Sequence, residues 1–543
     1  MIEKLGEDFR PEKFSSLVEV LDYVGKEHSE RPGFSCFKQT LSYGQIDELS
    51  NRFATMLQQK TKLKPGDRIA IQLPNVLQFP IVLYGALKAG LIVVNTNPLY
   101  TANEMLHQFN DSGAKAIVIL ENFCDKLEEV LDRSKIESIF VTKLGDFQSP
   151  IQRQIINFGI KYLKKLVPAY NLPTALCLAD LNKFDSSYTP PERLSHGDDI
   201  CVILYTGGTT GISKGAMLSH NNLIANMMQL RSRCIVVMKD KVESIAAPLP
   251  LYHSYAFLLH CLAMPYAGNH NILITNPRDL NGLIKLLSKV TVNGFVGINT
   301  LYLAMLRHKS FHKINFKNLK FCGAGGMAMT SSVMEEWKKA TGCEIFEGYG
   351  LTECSPVVSV NIPGRVKLGT VGPLVPETEI KAMADSGEEV LPGEIGEAWI
   401  RGPQVMLGYW NRPEETAETI TADGWFKSGD YVNVDSDGYI RIVDRKKDMI
   451  LVSGFNVFPN EIEDWVNGHP EVLESAAIGV PNERTGEAVK LFVVRQNQQL
   501  TSEELIGHCK KGLTPYKLPR EVVFVEDLPK SNIGKIIRRE LRE

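Results

Sequence analysis

Short apolar runs alternate with helix-period segments over much of the chain, and this alternation limits the fold more than any other feature. The runs RIAIQL (68–73), AKAIVIL (114–120) and SIFVT (138–142) have the length and β-branched content of buried strands. Between such runs lie QIDELSNRFATMLQQ (45–59) and LQFPIVLYGALKAG (77–90), whose apolar residues recur with helical spacing. Strands that alternate with helices predict parallel sheets covered by helices, which is an α/β fold.

The chain is expected to form more than one domain, because 543 residues are too many for a single hydrophobic core. After about residue 360, short strands with Gly/Pro turns predict a small β subdomain. The segment VDRKKDMILVSG (443–454) carries a charged cluster before a new apolar run. We therefore predict a large N-terminal domain of α/β layers plus the β subdomain at 1–443, a hinge at 444–448, and a small mobile α+β domain at 449–543.

Composition excludes several classes of partner and location. A net charge of −3 gives no global attraction to nucleic acid, so no nucleic-acid partner is expected. The ten cysteines show no C-x-x-C spacing, which favours reduced thiols and a cytoplasmic location. We predict no secretory signal and no membrane-spanning segment, because the first residues lack an apolar core and no run of 18 apolar residues occurs. The oligomeric state stays open between a monomer and a homodimer.

The segment YTGGTTGISKGA (205–216) is the strongest candidate for a phosphate-binding loop. Glycines and small hydroxyls after an apolar run let backbone N–H groups approach phosphate oxygens closely. It is not the G-x-x-x-x-G-K-[ST] loop of nucleotide hydrolases, because here the lysine precedes the last glycine. The residues predicted to bind ATP or AMP through this loop are Tyr205, Thr206, Gly207, Gly208, Thr209, Thr210, Gly211, Ser213, Lys214 and Gly215.

A second glycine-rich turn supports an alternative function. KFCGAGGMA (320–328) fits G-x-G-x-x-A after a short strand, and Glu344 follows about twenty residues on. This pattern is typical of dinucleotide binding and would make the chain a nicotinamide-dependent oxidoreductase. From the sequence, however, no β-α-β unit with a tight helix start follows clearly, which counts against the alternative.

Five blocks along the chain resemble, in the expected order, those of the adenylate-forming superfamily of acyl-CoA synthetases, peptide-synthetase adenylation domains and luciferases. After the phosphate loop come EGYGLTECSP (347–356), GWFKSGDYV (424–432), VDRKKDMILVSGFNVFPNEIE (443–463) and LPKSNIGKIIRREL (528–541). Ser428 stands where threonine is usual in the superfamily. Segments 74–118 and 161–173, and CGAGGMAM, are most similar to bacterial long-chain fatty-acid–CoA ligases.

The resemblance implies ATP-dependent activation of a long-chain fatty acid to an acyl-adenylate, followed by thioester formation with CoA and release of AMP and pyrophosphate. ATP and CoA would be co-substrates and Mg²⁺ the metal. Joining a carboxylate to a phosphate brings two anions together, so fixed positive charge and hydrogen-bond donors are required. A medium-chain or aryl-acid CoA ligase of the same superfamily is the alternative within this class.

The resemblance also assigns expected roles to individual residues. The catalytic residues would be Lys535, Glu353, Thr352 and His253, with Glu353 and Thr209 as metal ligands. The remaining contacts to AMP would come from Gly325, Tyr349, Gly350, Asp430 and Arg445. Lys447 would be the hinge pivot, Ser453 and Gly454 would line the path of the CoA pantetheine arm, and Phe257 would gate the acyl pocket.

One further segment has a physical pattern of its own. In RQIINFGIKYLKKLV (153–167) several apolar residues fall roughly on one helical face: Ile155, Ile156, Tyr162, Leu163 and Leu166. Positive charge comes from Arg153, Lys161, Lys164 and Lys165. A basic amphipathic helix of this kind predicts peripheral contact with the inner face of the cytoplasmic membrane. The alternative is a helix that packs its apolar face on the protein core.

Overall fold

The structure, a computed structural model, describes residues 9–191, 197–206, 213–234, 242–531 and 534–542. The strands in these ranges are β1 (Pro32–Cys36), β2 (Gln39–Ser42), β3 (Arg68–Gln72), β4 (Ile92–Asn95), β5 (Ala116–Leu120), β6 (Ser138–Thr142), β7 (Leu176–Cys177), β8 (Ile200–Tyr205), β9 (Gly215–Ser219), β10 (Ser244–Ala247), β11 (His270–Leu273), β12 (Gly294–Gly297), β13 (Phe321–Ala324), β14 (Ile345–Gly350), β15 (Val357–Val360), β16 (Glu379–Met383), β17 (Ile395–Arg401), β18 (Gly408–Tyr409), β19 (Phe426–Val434), β20 (Ile440–Arg445), β21 (Ile450–Val452), β22 (Phe455–Val457), β23 (Val472–Asn482), β24 (Gly486–Arg495) and β25 (Glu521–Val525).

The α-helices in the same ranges are α1 (Leu17–Glu27), α2 (Tyr43–Lys60), α3 (Gln78–Lys88), α4 (Ala102–Ser112), α5 (Cys124–Leu131), α6 (Pro150–Phe158), α7 (His220–Cys234), α8 (Ser254–Ala256), α9 (Met264–Tyr266), α10 (Leu280–Leu287), α11 (Asn299–Arg307), α12 (Ser331–Thr341), α13 (Pro413–Thr419), α14 (Pro459–Asn467) and α15 (Ser502–Cys509). Two π-helical segments, Gly159–Leu163 and Phe257–Ala263, continue α6 and α8. Within the described ranges, no helix is both long and apolar enough to cross a membrane.

Two large sheets, mostly parallel, form the body of the N-terminal part. The first sheet has the order β18-β9-β8-β4-β3-β5-β6-β7, and the second β15-β14-β13-β12-β10-β11-β1-β2. In the first, β9 and β18 are antiparallel to their neighbours, whereas the strands from β8 to β7 are parallel. Strands such as β5 are buried at every position because helices cover both faces, which explains their continuous apolar sequence.

Local sequence signals set the ends of the covering helices. Ser42 caps α2 and Thr101 caps α4, and in both helices a Gln or Glu three residues on completes a reciprocal capping box. The predicted helices at 45–59 and 77–90 correspond to α2 and α3, and the predicted strands at 68–73, 114–120 and 138–142 to β3, β5 and β6. The α/β prediction is therefore confirmed.

The β subdomain predicted after residue 360 is a third, antiparallel sheet with the order β16-β17-β19-β20. A fourth sheet, β22-β21-β24-β23 with β25 parallel to β24, forms the C-terminal part together with α14 and α15. Its core, built around residues such as Ile450, Ile462 and Leu491, is separate from the larger cores. The chain passes from the third sheet to the fourth after Arg445, the last residue of β20, so the predicted hinge segment begins inside this strand.

Candidate functional site

A cavity of about 1000 Å³ lies where both large sheets, the third sheet and the C-terminal tail meet. It is large enough for a nucleotide together with part of a second substrate. Most of the predicted site residues that the structure describes line this cavity: Tyr205, Thr206, Lys214, His253, Gly325, Tyr349, Gly350, Thr352, Glu353, Asp430, Arg445, Lys447 and Lys535. Gly207, Gly208, Thr209, Thr210 and Gly211 lie outside the described residues.

The two ends of the predicted phosphate loop are held by strand pairing. Tyr205 ends β8 and pairs with Gly215, the first residue of antiparallel β9. Next to this pair, the Thr206 N–H donates to the Lys214 carbonyl at 2.9 Å. A Cβ at Gly215 would lie 2.6 Å from the Ile203 side chain, so glycine is required by the close packing of β9 on β8. Ser213 and Gly215 flank Lys214 without lining the cavity themselves.

The side chains at these loop ends are anchored by α4. The Tyr205 hydroxyl donates to Asp111 at 2.7 Å, and the Arg412 guanidinium donates to the other oxygen of the same carboxylate at 2.7 Å. His107, one turn earlier on α4, contacts the Ser213 carbonyl at 3.3 Å. Asp111 therefore connects the strand that enters the loop to the 408–412 segment, which pairs with the strand that leaves it.

Tyr349, Asp430 and Arg445 form a hydrogen-bonded group on one wall. The Tyr349 hydroxyl donates to Asp430 Oδ2 at 2.6 Å, while Arg445 Nε lies 3.4 Å from Asp430 Oδ1. Adjacent strands β19 and β20 place Asp430 opposite Arg445. Burial, with the Asp430 carboxylate beside it, raises the pKa of Tyr349, so its hydroxyl stays a donor. Such a carboxylate can accept hydrogen bonds from paired hydroxyls of a sugar.

Glu353 lies in a short turn after β14 and faces the same cavity. Its Oε1 accepts a hydrogen bond from the Tyr409 hydroxyl at 2.8 Å, and its carbonyl accepts one from the Met406 N–H at 2.8 Å. Burial raises the pKa of this carboxyl group. Thr352, beside it, shares a hydrogen bond with Ser254 at 3.3 Å.

The Glu353 carboxylate, as an oxygen ligand that faces the cavity, fits Mg²⁺. Among the described residues no group of three or more His, Cys, Asp or Glu side chains could hold a metal ion by itself. Mg²⁺ bound with a nucleotide commonly takes one or two carboxylates and completes its shell with phosphates and water. A single inward-facing carboxylate at Glu353 meets that requirement.

Lys535 enters the cavity from the C-terminal tail. Two hydrogen bonds join Ser531 and Lys535 across the turn that carries the lysine. The Ser531 N–H donates to the Lys535 carbonyl at 2.7 Å, and the Lys535 N–H donates to Ser531 Oγ at 3.1 Å. Gly534 in this turn has φ +80° and packs so closely on the N-terminal part that a Cβ would lie 2.7 Å from Ile298. The tail is fastened by Arg538, whose guanidinium donates to the Glu463 carboxylate at 2.7 Å.

The surroundings of Lys535 alter the charge of several groups. Burial, followed by the charge of Arg445, lowers the pKa of Lys535 to about 8, with Asp430 acting in the opposite direction. Burial and the nearby Lys535 ammonium lower the pKa of His253 to about 4, so the imidazole is neutral at neutral pH. At neutral pH this part of the cavity therefore presents the Lys535 ammonium beside a neutral imidazole at His253.

Besides Ser213 and Gly215, three predicted residues that the structure describes do not line the cavity. Phe257 is fully buried at the start of a π-helical segment, while Tyr255, two residues earlier, lines the cavity and packs on Gly323. Ser453 and Gly454 form the exposed turn between β21 and β22, with φ of 52° and 81°. Their role along the path of the pantetheine arm stays a prediction.

The structure also corrects one argument against the oxidoreductase alternative. The turn at 325–330 does belong to a β-α-β unit, because β13 and β14 are parallel neighbours joined by α12. The alternative fails for a different reason. Glu344, the acid expected to bind a ribose, is paired with Lys338 on the surface at 2.7 Å, and the glycine turn opens into the shared cavity.

Several site residues were not predicted from the sequence, notably Tyr409, Asp111 and Tyr255. Tyr409 and Asp111 act on the site through other side chains and belong to no motif with a known chemistry. Tyr255 lies two residues after His253 in the PLPLYHSYAF segment, and a spacing of two gives no helical signal that both side chains reach the same cavity.

The whole architecture is shared with known adenylate-forming ligases. A benzoate CoA ligase from Burkholderia xenovorans LB400 superposes with a TM-score of 0.83 over 98% of this chain and 100% of that chain, at 24% identity. At this identity the likeness establishes the fold alone. The chain therefore has the same two-domain α/β fold as this ligase.

Sequence comparison identifies the family. The model for AMP-binding enzymes matches residues 21–410, and the model for the AMP-binding enzyme C-terminal domain matches 461–535. A long-chain-fatty-acid–CoA ligase of Salmonella typhimurium is 47% identical over 99% of this chain and 96% of its own length. A long-chain-fatty-acid–CoA ligase of Bacillus subtilis is 34% identical over 97% of this chain and 94% of its own length. The chain belongs to the AMP-binding enzyme family.

The depressed pKa of Lys535 predicts a pH dependence. The Lys535 side chain is a charged ammonium below about pH 8 and a neutral amine above it. The parameter kcat/KM reports the ionisation of the free enzyme. In the adenylation role that the resemblance implies for Lys535, kcat/KM for ATP should therefore fall about tenfold per pH unit above pH 8. Pre-steady-state pyrophosphate release across this range measures it. Lys535→Arg, which stays charged, should remove the fall; a fall that persists in this variant would assign it to another group.

Proposed function

We propose that this chain activates a long-chain fatty acid with ATP and transfers the acyl group to CoA. A carboxylate oxygen of the acid attacks the α-phosphorus, and the bond to the bridging oxygen breaks to release pyrophosphate. The CoA sulfur, after loss of its proton, then attacks the acyl carbonyl and AMP leaves. The observation that carries the proposal is the meeting of Lys535 with Glu353, Asp430 and Arg445 in one cavity. The 47% identity to a long-chain ligase supports the choice of acid.

In this proposal each wall of the cavity has a distinct task. Asp430, held by Tyr349 and Arg445, accepts hydrogen bonds from the ribose, and Tyr349 and Gly325 pack on the adenine. Residues 205–215, including the predicted metal ligand Thr209, bind the β- and γ-phosphates. Mg²⁺ at Glu353 would neutralise phosphate charge, and Lys535 would place its ammonium between the acid and the α-phosphate.

The second half-reaction requires a different arrangement of the domains. With Lys535 in the cavity, Ser453 and Gly454 are on the surface, and Leu451 and Phe455 beside them are about half exposed. Rotation about Lys447 would withdraw Lys535 and bring this turn to the cavity, where Gly454 leaves room for the pantetheine arm. Burial lowers the pKa of Lys447 at the junction. The domain boundaries 1–443, 444–448 and 449–543 belong to this proposal.

The proposed acyl specificity depends on the apolar side of the cavity. Tyr255 and the buried π-helical segment behind it form the apolar side of the cavity. Phe257 stays a predicted gate that would have to turn out of this segment to admit the acyl chain. The medium-chain or aryl-acid alternative places a shorter acid against the same wall.

The test of function is CoA-dependent AMP release across fatty acids from about C6 to about C18. We expect kcat/KM to rise with chain length, since each buried methylene contributes about 0.8 kcal/mol. A maximum at the short end would instead favour the medium-chain alternative. Adenylate formation without CoA dependence would contradict the ligase assignment.

The two-arrangement proposal predicts a split between half-reactions. Lys535→Ala should slow acyl-adenylate formation by at least about a hundredfold, because a preorganised charge on the transition state is lost. Thioester formation from supplied acyl-adenylate should stay near the wild-type rate. Gly454→Leu should show the opposite split. Equal loss of both steps in each variant would contradict rotation about the hinge.

We also propose that the basic amphipathic segment contacts an anionic membrane. No residue of α6 or of the π-helical turn after it is buried, and the apolar side chains of Ile151, Ile155, Phe158, Tyr162, Leu163 and Leu166 are 53–75% exposed. Between residues 147 and 179 the chain carries Arg153, Lys161, Lys164 and Lys165 and no acidic residue. An apolar face turned away from the core, beside clustered positive charge, is the pattern of an interfacial helix.

Vesicle sedimentation tests the membrane contact. Leu163→Asp should weaken binding to vesicles of equal phosphatidylglycerol and phosphatidylcholine by about tenfold, because it removes apolar area and adds negative charge. Leu391→Asp is the matched control, since Leu391 is 70% exposed and has acidic neighbours in the sequence (Glu388, Glu389 and Glu394), and it should bind as the wild type does. Wild-type protein that stays in the supernatant would contradict the proposal.

The homodimer considered from the sequence stays a prediction.

A further inference from the structure

The segment from Met406 to Arg412 contacts the site at several points, although no motif marks it. Three of its backbone N–H groups donate to carbonyl oxygens of the site at 2.8–3.0 Å. Met406 donates to Glu353, Leu407 to Met217, and Trp410 to Gly215. These bonds place the short strand β18 between the carboxylate side of the cavity and the strand that leaves the phosphate loop. Any displacement of this segment would move both features together.

Tyr409 is the residue of this segment that reaches the site with its side chain. It is buried, and its hydroxyl donates to Glu353 Oε1 at 2.8 Å. Its ring lies 5.2 Å from the Lys214 ammonium, within the range of a cation–π contact. The Tyr409 N–H is in turn held by Thr416 at 2.9 Å. The Tyr409 side chain therefore contacts Glu353 through its hydroxyl and Lys214 through its ring.

We propose that Tyr409 is a positioning residue that orients the Glu353 carboxylate toward the divalent cation. The hydroxyl occupies Oε1, while no side chain of the described residues donates a hydrogen bond to the other carboxylate oxygen, which would be the one to meet the metal. The ring also contacts the Lys214 ammonium at the end of the predicted phosphate loop. This inference depends on the proposed function, since it concerns the metal that accompanies ATP. Groups that orient a metal ligand commonly change metal affinity by 10- to 100-fold when removed.

The geometry separates Tyr409 from the adenosine contacts. Asp430 and Tyr349, which form the predicted adenosine wall, make their hydrogen bonds to each other and not to Tyr409. AMP carries no β- or γ-phosphate and needs no metal between those groups. Loss of the Tyr409 hydroxyl should therefore weaken binding of metal–ATP while leaving AMP binding unchanged.

The test is Tyr409→Phe, which keeps the ring and removes only the hydroxyl. Calorimetric titration without fatty acid or CoA measures ATP binding as a function of Mn²⁺, and AMP binding separately. We expect the Mn²⁺ concentration for half-maximal ATP binding to rise about tenfold and the AMP affinity to stay unchanged. Tyr84→Phe is the control, because Tyr84 is also buried and donates to the Cys261 carbonyl at 2.7 Å. It should leave both quantities at the wild-type value.

A second pair of variants separates the hydrogen bond from packing. Tyr409 replaced by 4-aminophenylalanine keeps a donor, whereas its replacement by 4-methylphenylalanine fills the same space without one. Only the methyl form should lose Mn²⁺ affinity. An unchanged Mn²⁺ midpoint in the variants without a donor, or equal losses for ATP and AMP, would overturn the inference. A wild-type chain that binds no Mn²⁺–ATP would instead overturn the proposed function itself.

Discussion

A buried ammonium from one domain inside the cavity of the other is the constraint on which this site depends. A lysine is seldom buried without compensation, and here the low pKa of Lys535 shows that desolvation and Arg445 outweigh Asp430. An anionic nucleotide and acid would reverse that balance. In the proposed mechanism, the arrangement with Lys535 in the cavity is therefore stabilised most when both anions are bound, as expected of a domain that would also move away.

The mechanical support for this arrangement is divided between the two domains. In the C-terminal part, Arg538 holds the tail to Glu463, and Arg538 and Arg542 both lie within 4 Å of Asp448, the last residue of the predicted hinge. In the N-terminal part, Asp111 holds both flanks of the phosphate loop, and the 406–412 segment joins that loop to Glu353. Glu353 and Lys535, the two charged groups to which the proposal assigns catalysis, are thus held in place by side chains and backbone groups of other elements.

The order of the motifs and the apolar periodicity predicted the sheets, the C-terminal domain and many of the residues that line the cavity. The parallel sheets, the small antiparallel sheet and the late C-terminal domain followed from strand length, helical spacing and the change of composition near residues 360 and 444. The cavity brings together Glu353, Asp430, Arg445 and Lys535, which the sequence blocks had separated by up to 182 positions. The oxidoreductase alternative could not be removed by pattern alone, because its glycine turn does sit in a β-α-β unit.

The sequence alone therefore determined the helices and strands and the chemical groups available to the site, because local spacing and residue type are enough to identify both. What only the tertiary structure decided is which groups act through others. Tyr409 became visible because sheet pairing puts it 2.8 Å from Glu353, and Asp111 because helix α4 lies against the loop strands. The exposed apolar face of α6 was likewise undecidable from its pattern, since a helix with one apolar face has the same sequence whether that face meets the core or faces outward.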